Sequence, residues 1–154
     1  MINVPEKIFD RNFEEVDVGV STLSFYKKDE IEDAQIGFRY DNNKKEIKKW
    51  KGKEYVVIGN DSALGDPIIA KVDEKDIPIY SMFHDDWSSF EKVAESFEQY
   101  IGILEMIEKT DLHRRDKIID LLDDIEEIVP EASYYYWEDL INSAFDFFAD
   151  VYEE

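Results

Sequence analysis

The chain has no cysteine among its 154 residues. That absence removes disulfides, thiol nucleophiles and thiolate metal sites together, and it suits a reducing cytoplasm. Long hydrophobic runs are missing too. The longest charge-free stretch is Val18–Tyr26, far short of the roughly 20 apolar residues that a membrane helix needs. The opening MINVPEKIFDRNFEEV sets acids among its apolar residues, unlike a secretory signal. The expected setting is therefore cytoplasmic, with no membrane contact. Base is scarce at one end: no Lys or Arg follows Lys117, whereas residues 118–154 carry twelve acids. Over the whole chain 18 basic residues face 38 acidic ones, a formal net charge of −20. Such a field repels phosphate backbones, which argues against direct DNA or RNA binding. It attracts basic partners and speeds their encounter.

Against these absences stands enough apolar material for a core. Leu, Ile, Val and Phe make up 45 of the 154 residues, above the level at which charged chains stay unfolded. One domain is expected, divided as 1–54 (N-terminal strands and a turn), 55–104 (sheet and helix entry) and 105–154 (acidic C-terminal helices). Phe9 and Phe13 allow one short helix near the start. Val18–Tyr26 alternates as a strand, Lys28–Ala34 reads as a helical turn, and Ile36–Tyr40 as a second strand. Lys44–Lys53 carries six lysines and reads as a solvated hairpin whose charges discourage edge pairing; a contact site for an acidic partner is the functional alternative.

Tyr55–Ile58 is a short apolar run suited to a central strand. Gly59 and Gly65 bracket a loop, and Ile68–Val72 and Ile77–Phe83 follow as strands around the Asp73–Asp76 turn. Two serines could open the next helix: Ser88 with Glu91, or Ser96 with Gln99, each in capping-box spacing. Leu112–Val129 and Tyr134–Tyr152 show helical periodicity, the first ended by Pro130. Strands first and helices last predict an α+β fold: an antiparallel meander flanked by helices, two or three of them C-terminal.

Chemistry-bearing patterns are sparse. His84-Asp85-Asp86 could bind a cation or relay a proton, but neighbours on an extended segment point to opposite faces. The Gly59–Gly65 loop has no Lys-Ser/Thr after it, and Asp61 and Asp66 would repel phosphate; its glycines would supply positive φ. His113-Arg114-Arg115 reads as a solvated turn. No nucleophile motif is present, and no metal or other cofactor is expected. The last helix holds more aromatics (Tyr134, Tyr135, Tyr136, Trp137, Phe145, Phe147, Phe148, Tyr152) than one buried stripe uses. A wide buried face would account for them, and a self-association surface or partner groove is the alternative.

Val56-Val57-Ile58-Gly59, Gly65-Asp66-Pro67-Ile68, Ile77-Pro78-Ile79-Tyr80 and His84-Asp85, followed by Val93-Ala94-Glu95-Ser96-Phe97-Glu98-Gln99-Tyr100-Ile101, resemble the SUKH superfamily. This is the group around yeast cell-wall-synthesis regulators and many bacterial immunity proteins. Weaker similarity reaches back to Leu23-Ser24-Phe25-Tyr26 and Asp29-Glu30-Ile31. The family's N-terminal Leu-Pro signature is not found here, and the two acidic C-terminal helices exceed its usual core. The resemblance favours Ser96 as the helix start and implies a non-enzymatic binding role, often the neutralisation of a nuclease toxin.

The expected partner is thus a basic toxin domain, with the chain as monomer or homodimer. A regulatory or scaffolding domain is the alternative, and an enzyme built on His84 and carboxylates is a third reading. The residues expected at the partner are Asp85, Asp86 and Trp87, as an exposed loop, and Asp123, Asp124, Glu126 and Glu127, as an acidic helix face.

Overall fold

A computed structural model describes residues 2–11, 14–19 and 21–152, with side chains up to residue 146. Six strands form one antiparallel sheet in chain order: β1 (Glu15–Asp17), β2 (Thr22–Phe25), β3 (Tyr55–Asp61), β4 (Pro67–Lys71), β5 (Ile79–Phe83) and β6 (Asp86–Ala94). A short helix α1 (Ile31–Ala34) precedes β3. After the sheet come α2 (Phe97–Glu108), α3 (Arg115–Ile128) and α4 (Glu131–Tyr152). This is the expected α+β meander, with three C-terminal helices.

The central strands read as continuous apolar runs because both sheet faces are covered. Val56, Ile58, Ile68 and Ala70 join the main core under the helices, together with Tyr100, Leu104, Ile118, Ile125 and Trp137. The alternate residues Val57 and Ile69 face the other way. They pack with Met82 and Trp50 beneath the loop that carries Phe38 and Trp50. Indole N–H groups pin this loop layer: Trp50 Nε1 donates to Tyr55 O at 3.1 Å, and Trp87 Nε1 to Phe38 O at 3.2 Å. Where β2 ends, the buried Gln35 amide takes its place beside β3. It accepts from Val57 N at 2.9 Å and donates to Val57 O at 2.8 Å.

The helix layer is fixed by caps and by the last strand. Ser96 opens α2 and accepts from Gln99 N at 2.9 Å, which satisfies one of the unpaired first-turn donors. Gln99 Nε2 donates to Ile128 O at 2.6 Å and so ties the start of α2 to the end of α3. Helix α3 stops there because the residue before Pro130 must be extended; Val129 sits at φ −117°, ψ 153°. Along β6, Ser133 Oγ donates to Lys92 O at 2.9 Å and Trp137 Nε1 to Val93 O at 2.8 Å. Helix α4 thereby covers part of an edge strand that could otherwise pair with another chain.

Several expected elements differ. Ser88 and Glu91 lie inside strand β6, so only Ser96 caps a helix. Ile36–Tyr40 is a turn closed by an isolated bridge. The lysine segment is no edge hairpin; it lies in the loop over the second sheet face, with Lys49 Nζ 5.8 Å from the Trp87 ring and Lys51 Nζ 5.6 Å from the Phe90 ring. Near the start there is one 3-10 turn, Glu6–Ile8; Phe13 lies outside the described residues. Of the bracketing glycines, only Gly65 has positive φ, at 75°.

Candidate functional site

On the face under the helices, strand register sets two adjacent rows: Leu23 opposite Asp61, and, two residues along β3, Gly59 opposite Ile68, Ile68 opposite Ser81 and Ser81 opposite Glu91. Opposed residues share a face, so these rows mix apolar and acidic side chains. Helix α4 crosses above them with Tyr135, Tyr136, Asp139 and Leu140. Between them lies a groove of about 380 Å³, lined also by Leu64 of the β3–β4 connection and Pro67 at the start of β4. Its lining is mostly apolar and carries four carboxylates, Asp61, Asp66, Glu91 and Asp139, and no Lys, Arg or His.

The carboxylates differ in how they are held. Asp61 Oδ1 accepts from the Ser21 hydroxyl, from Ala63 N at 2.9 Å and from Leu64 N at 3.2 Å, so it organises the hairpin tip. Asp66 Oδ1 accepts from His84 N at 2.9 Å and lies 3.3 Å from His84 Nδ1. Among the described residues, neither Glu91 nor Asp139 has an ion pair. Burial, and then the neighbouring Asp139 carboxylate, hold the Glu91 carboxyl above its usual range. The hydroxyl of Tyr136 sits at the floor. Burial pushes its pKa upward, the Asp61, Asp66 and Glu91 charges add to this, and a hydrogen bond with Ser81 works the other way.

The raised Glu91 carboxyl has a pH signature. The folded chain holds this proton to higher pH than the unfolded chain, so stability falls as pH rises from the ordinary value of 4.5 through the folded value. Glu91→Gln, which is neutral throughout, should therefore exceed the parent in thermal midpoint at about pH 7 and match it at about pH 4. A variant less stable at the higher pH would show that the ionised carboxylate is favoured there.

The sequence-predicted partner residues fall in three places. Asp85 and Asp86 are exposed at the β5–β6 turn as expected. Trp87 is not: it is half-buried at the start of β6, because its indole reaches Phe38 O and packs in the second cluster. The recess beside them holds Lys49 and Lys51 as well, so this loop is not a purely acidic surface. On α3, Asp123, Asp124, Glu126 and Glu127 are all exposed, yet they do not make one front. Asp124 lines a shallow recess with Lys109, Arg114 and Lys117. Asp123 and Glu126 act on Tyr134 of α4, whose hydroxyl is pushed up to about 12, first by burial and then by Glu138. Glu126 also acts on Tyr135 at the groove rim, so the acid face of α3 continues toward the groove.

Sequence reasoning missed the groove carboxylates as a set. One signal was available: Phe83 continues the inward row of Ile79 and Ser81, yet a strand end this polar has little to bury it. His84, Asp85 and Asp86 do not converge, and among the described residues no group of three or more His, Asp or Glu is placed to hold a metal ion. No helix among them is long and apolar enough to cross a membrane. Comparison with known proteins finds no matching family model, no similar curated protein and no similar solved structure.

Proposed function

We propose that this protein is a non-enzymatic binding domain of the immunity type, which neutralises a basic, nuclease-like toxin by occluding it with an acidic surface. The observation that carries the reading is acidic charge that no ion pair neutralises. Among the described residues, none of Asp123, Asp124, Glu126, Glu127, Glu131, Glu138 and Asp139 forms an ion pair with a base. Exposed like charges repel one another, and a cationic partner relieves that repulsion as it binds. A nuclease must be basic where it holds its substrate, so the surface that an acidic inhibitor favours is the one whose blockage stops cleavage. The resemblance to the SUKH superfamily supports the same reading.

The test is recovery of partners from the native host by tagged protein at low and then high salt, followed by co-expression with any basic toxin recovered. Rescue of growth by this chain, with binding that weakens steeply as salt rises, is the expected result. The combined variant D123N, D124N, E126Q and E127Q should bind about tenfold more weakly, with a shallower salt dependence. Salt-insensitive binding would overturn the electrostatic account. A spread of regulatory partners with no protection would favour a scaffolding role.

A further inference from the structure

We infer that the groove between α4 and the sheet is the anchoring site for an apolar segment of a protein partner that carries lysine or arginine. Two features converge on it. Among the described residues, the large apolar side chains left exposed are Leu64, Phe83, Ile119, Ile128 and Tyr135. Three of these, Leu64 and Phe83 at 61% and Tyr135 at 53% exposure, line this one groove. Clustered exposed apolar side chains with a polar rim mark interaction sites, whereas scattered ones do not. Because they extend the apolar surface out to the rim, the occupant is larger than a small amine held in the cavity.

The second feature is charge. Four carboxylates line the groove and no base does. Glu91 and Asp139 stand close enough for one charge to oppose ionisation of the other. An ammonium or guanidinium group between them would remove that opposition and donate charge-assisted hydrogen bonds to both carboxylates.

This inference rests on the binding-domain reading, and its test separates the two. Amide NMR spectra of the full chain would be followed on titration with the peptide Ac-Leu-Arg-Phe-Lys-amide, its acidic counterpart Ac-Leu-Glu-Phe-Glu-amide, and hexylamine. The expected result is saturable shifts at Leu64, Ser81, Phe83 and Ser143 with the basic peptide alone. The double variant E91Q/D139N should weaken that binding by about tenfold, and the four-fold α3 variant should leave it nearly unchanged. Absence of groove shifts, equal response to the acidic peptide, or hexylamine binding as tightly as the peptide would each overturn the proposal. If the groove stays silent while a basic toxin is still captured through α3, the functional reading stands and the anchoring site falls; groove binding with no toxin protection is the reverse case.

Discussion

Trp137→Ala should remove about 4 kcal/mol of folding stability, a large part of the roughly 5–15 kcal/mol that holds a domain of this size. The indole is fully buried. Its ring centroid lies 5.6 Å from that of Tyr100 and 5.1 Å from that of Tyr136, so truncation opens a cavity lined by two rings that cannot both close in. It also strips the donor from Val93 O on strand β6. That carbonyl would be left in a dry site, and a lost partner for a buried acceptor costs about 1–3 kcal/mol by itself. Trp137→Phe keeps most of the volume and loses only the hydrogen bond, so it should cost clearly less. Chemical denaturation of the three proteins side by side gives both numbers. If Ala and Phe were equally destabilising, the hydrogen bond and not the packing would be what holds α4. The site is affected as well, because Tyr136 at the groove floor rests on the edge of this indole.

The features that were legible in the sequence are those with a local cause. Ser96 with Gln99 could be read because a cap needs only four residues. Tyr55–Ile58 could be read because a strand covered on both faces is apolar throughout. Strand β1 could not: Val16 is its one buried side chain, between exposed Glu15 and Asp17, and three such residues have no period. Strand β6 was hidden by Ser88 and Glu91, whose spacing imitates a cap while their side chains belong to a strand. Helix α3 was expected from Leu112, but Asp111 accepts from His113 N at 3.0 Å and holds a turn ahead of the helix. Helix α4 begins at Glu131 because Pro130 can precede a helix although it ends one. The groove was legible only in pieces. Asp61 and Asp66 were visible beside glycines, and Tyr135 and Tyr136 as surplus aromatics. Their meeting depends on strand register and on the path of α4, which no local pattern encodes.

Gly59→Ala should cost about 3 kcal/mol, although glycine lies here in an ordinary extended strand and alanine is compatible with that backbone. The cause is proximity across the sheet. A Cβ at this position would stand 2.3 Å from Ser24 O and 3.3 Å from Phe25 Cα, both backbone atoms of β2, and 3.1 Å from Ile68 Cδ1. A side-chain end could swing aside, but a strand backbone moves only with its ladder, so β2 would have to part from β3. A glycine inside a strand often marks such an approach of another backbone. Gly102 provides the control: it lies in α2 with nothing within 4 Å of the added carbon, and Gly102→Ala should stabilise by about 0.5–1 kcal/mol through helix propensity. Opposite signs for the same chemical change, measured by denaturation, would confirm that backbone approach and not glycine flexibility decides the cost. Displacement of β2 has a functional consequence too. Leu23 pairs with Asp61 two residues beyond the Phe25–Gly59 pair, and Ser21 donates to the Asp61 carboxylate. Gly59→Ala should therefore disturb the groove and weaken the basic peptide, whereas Gly102→Ala should leave its binding intact.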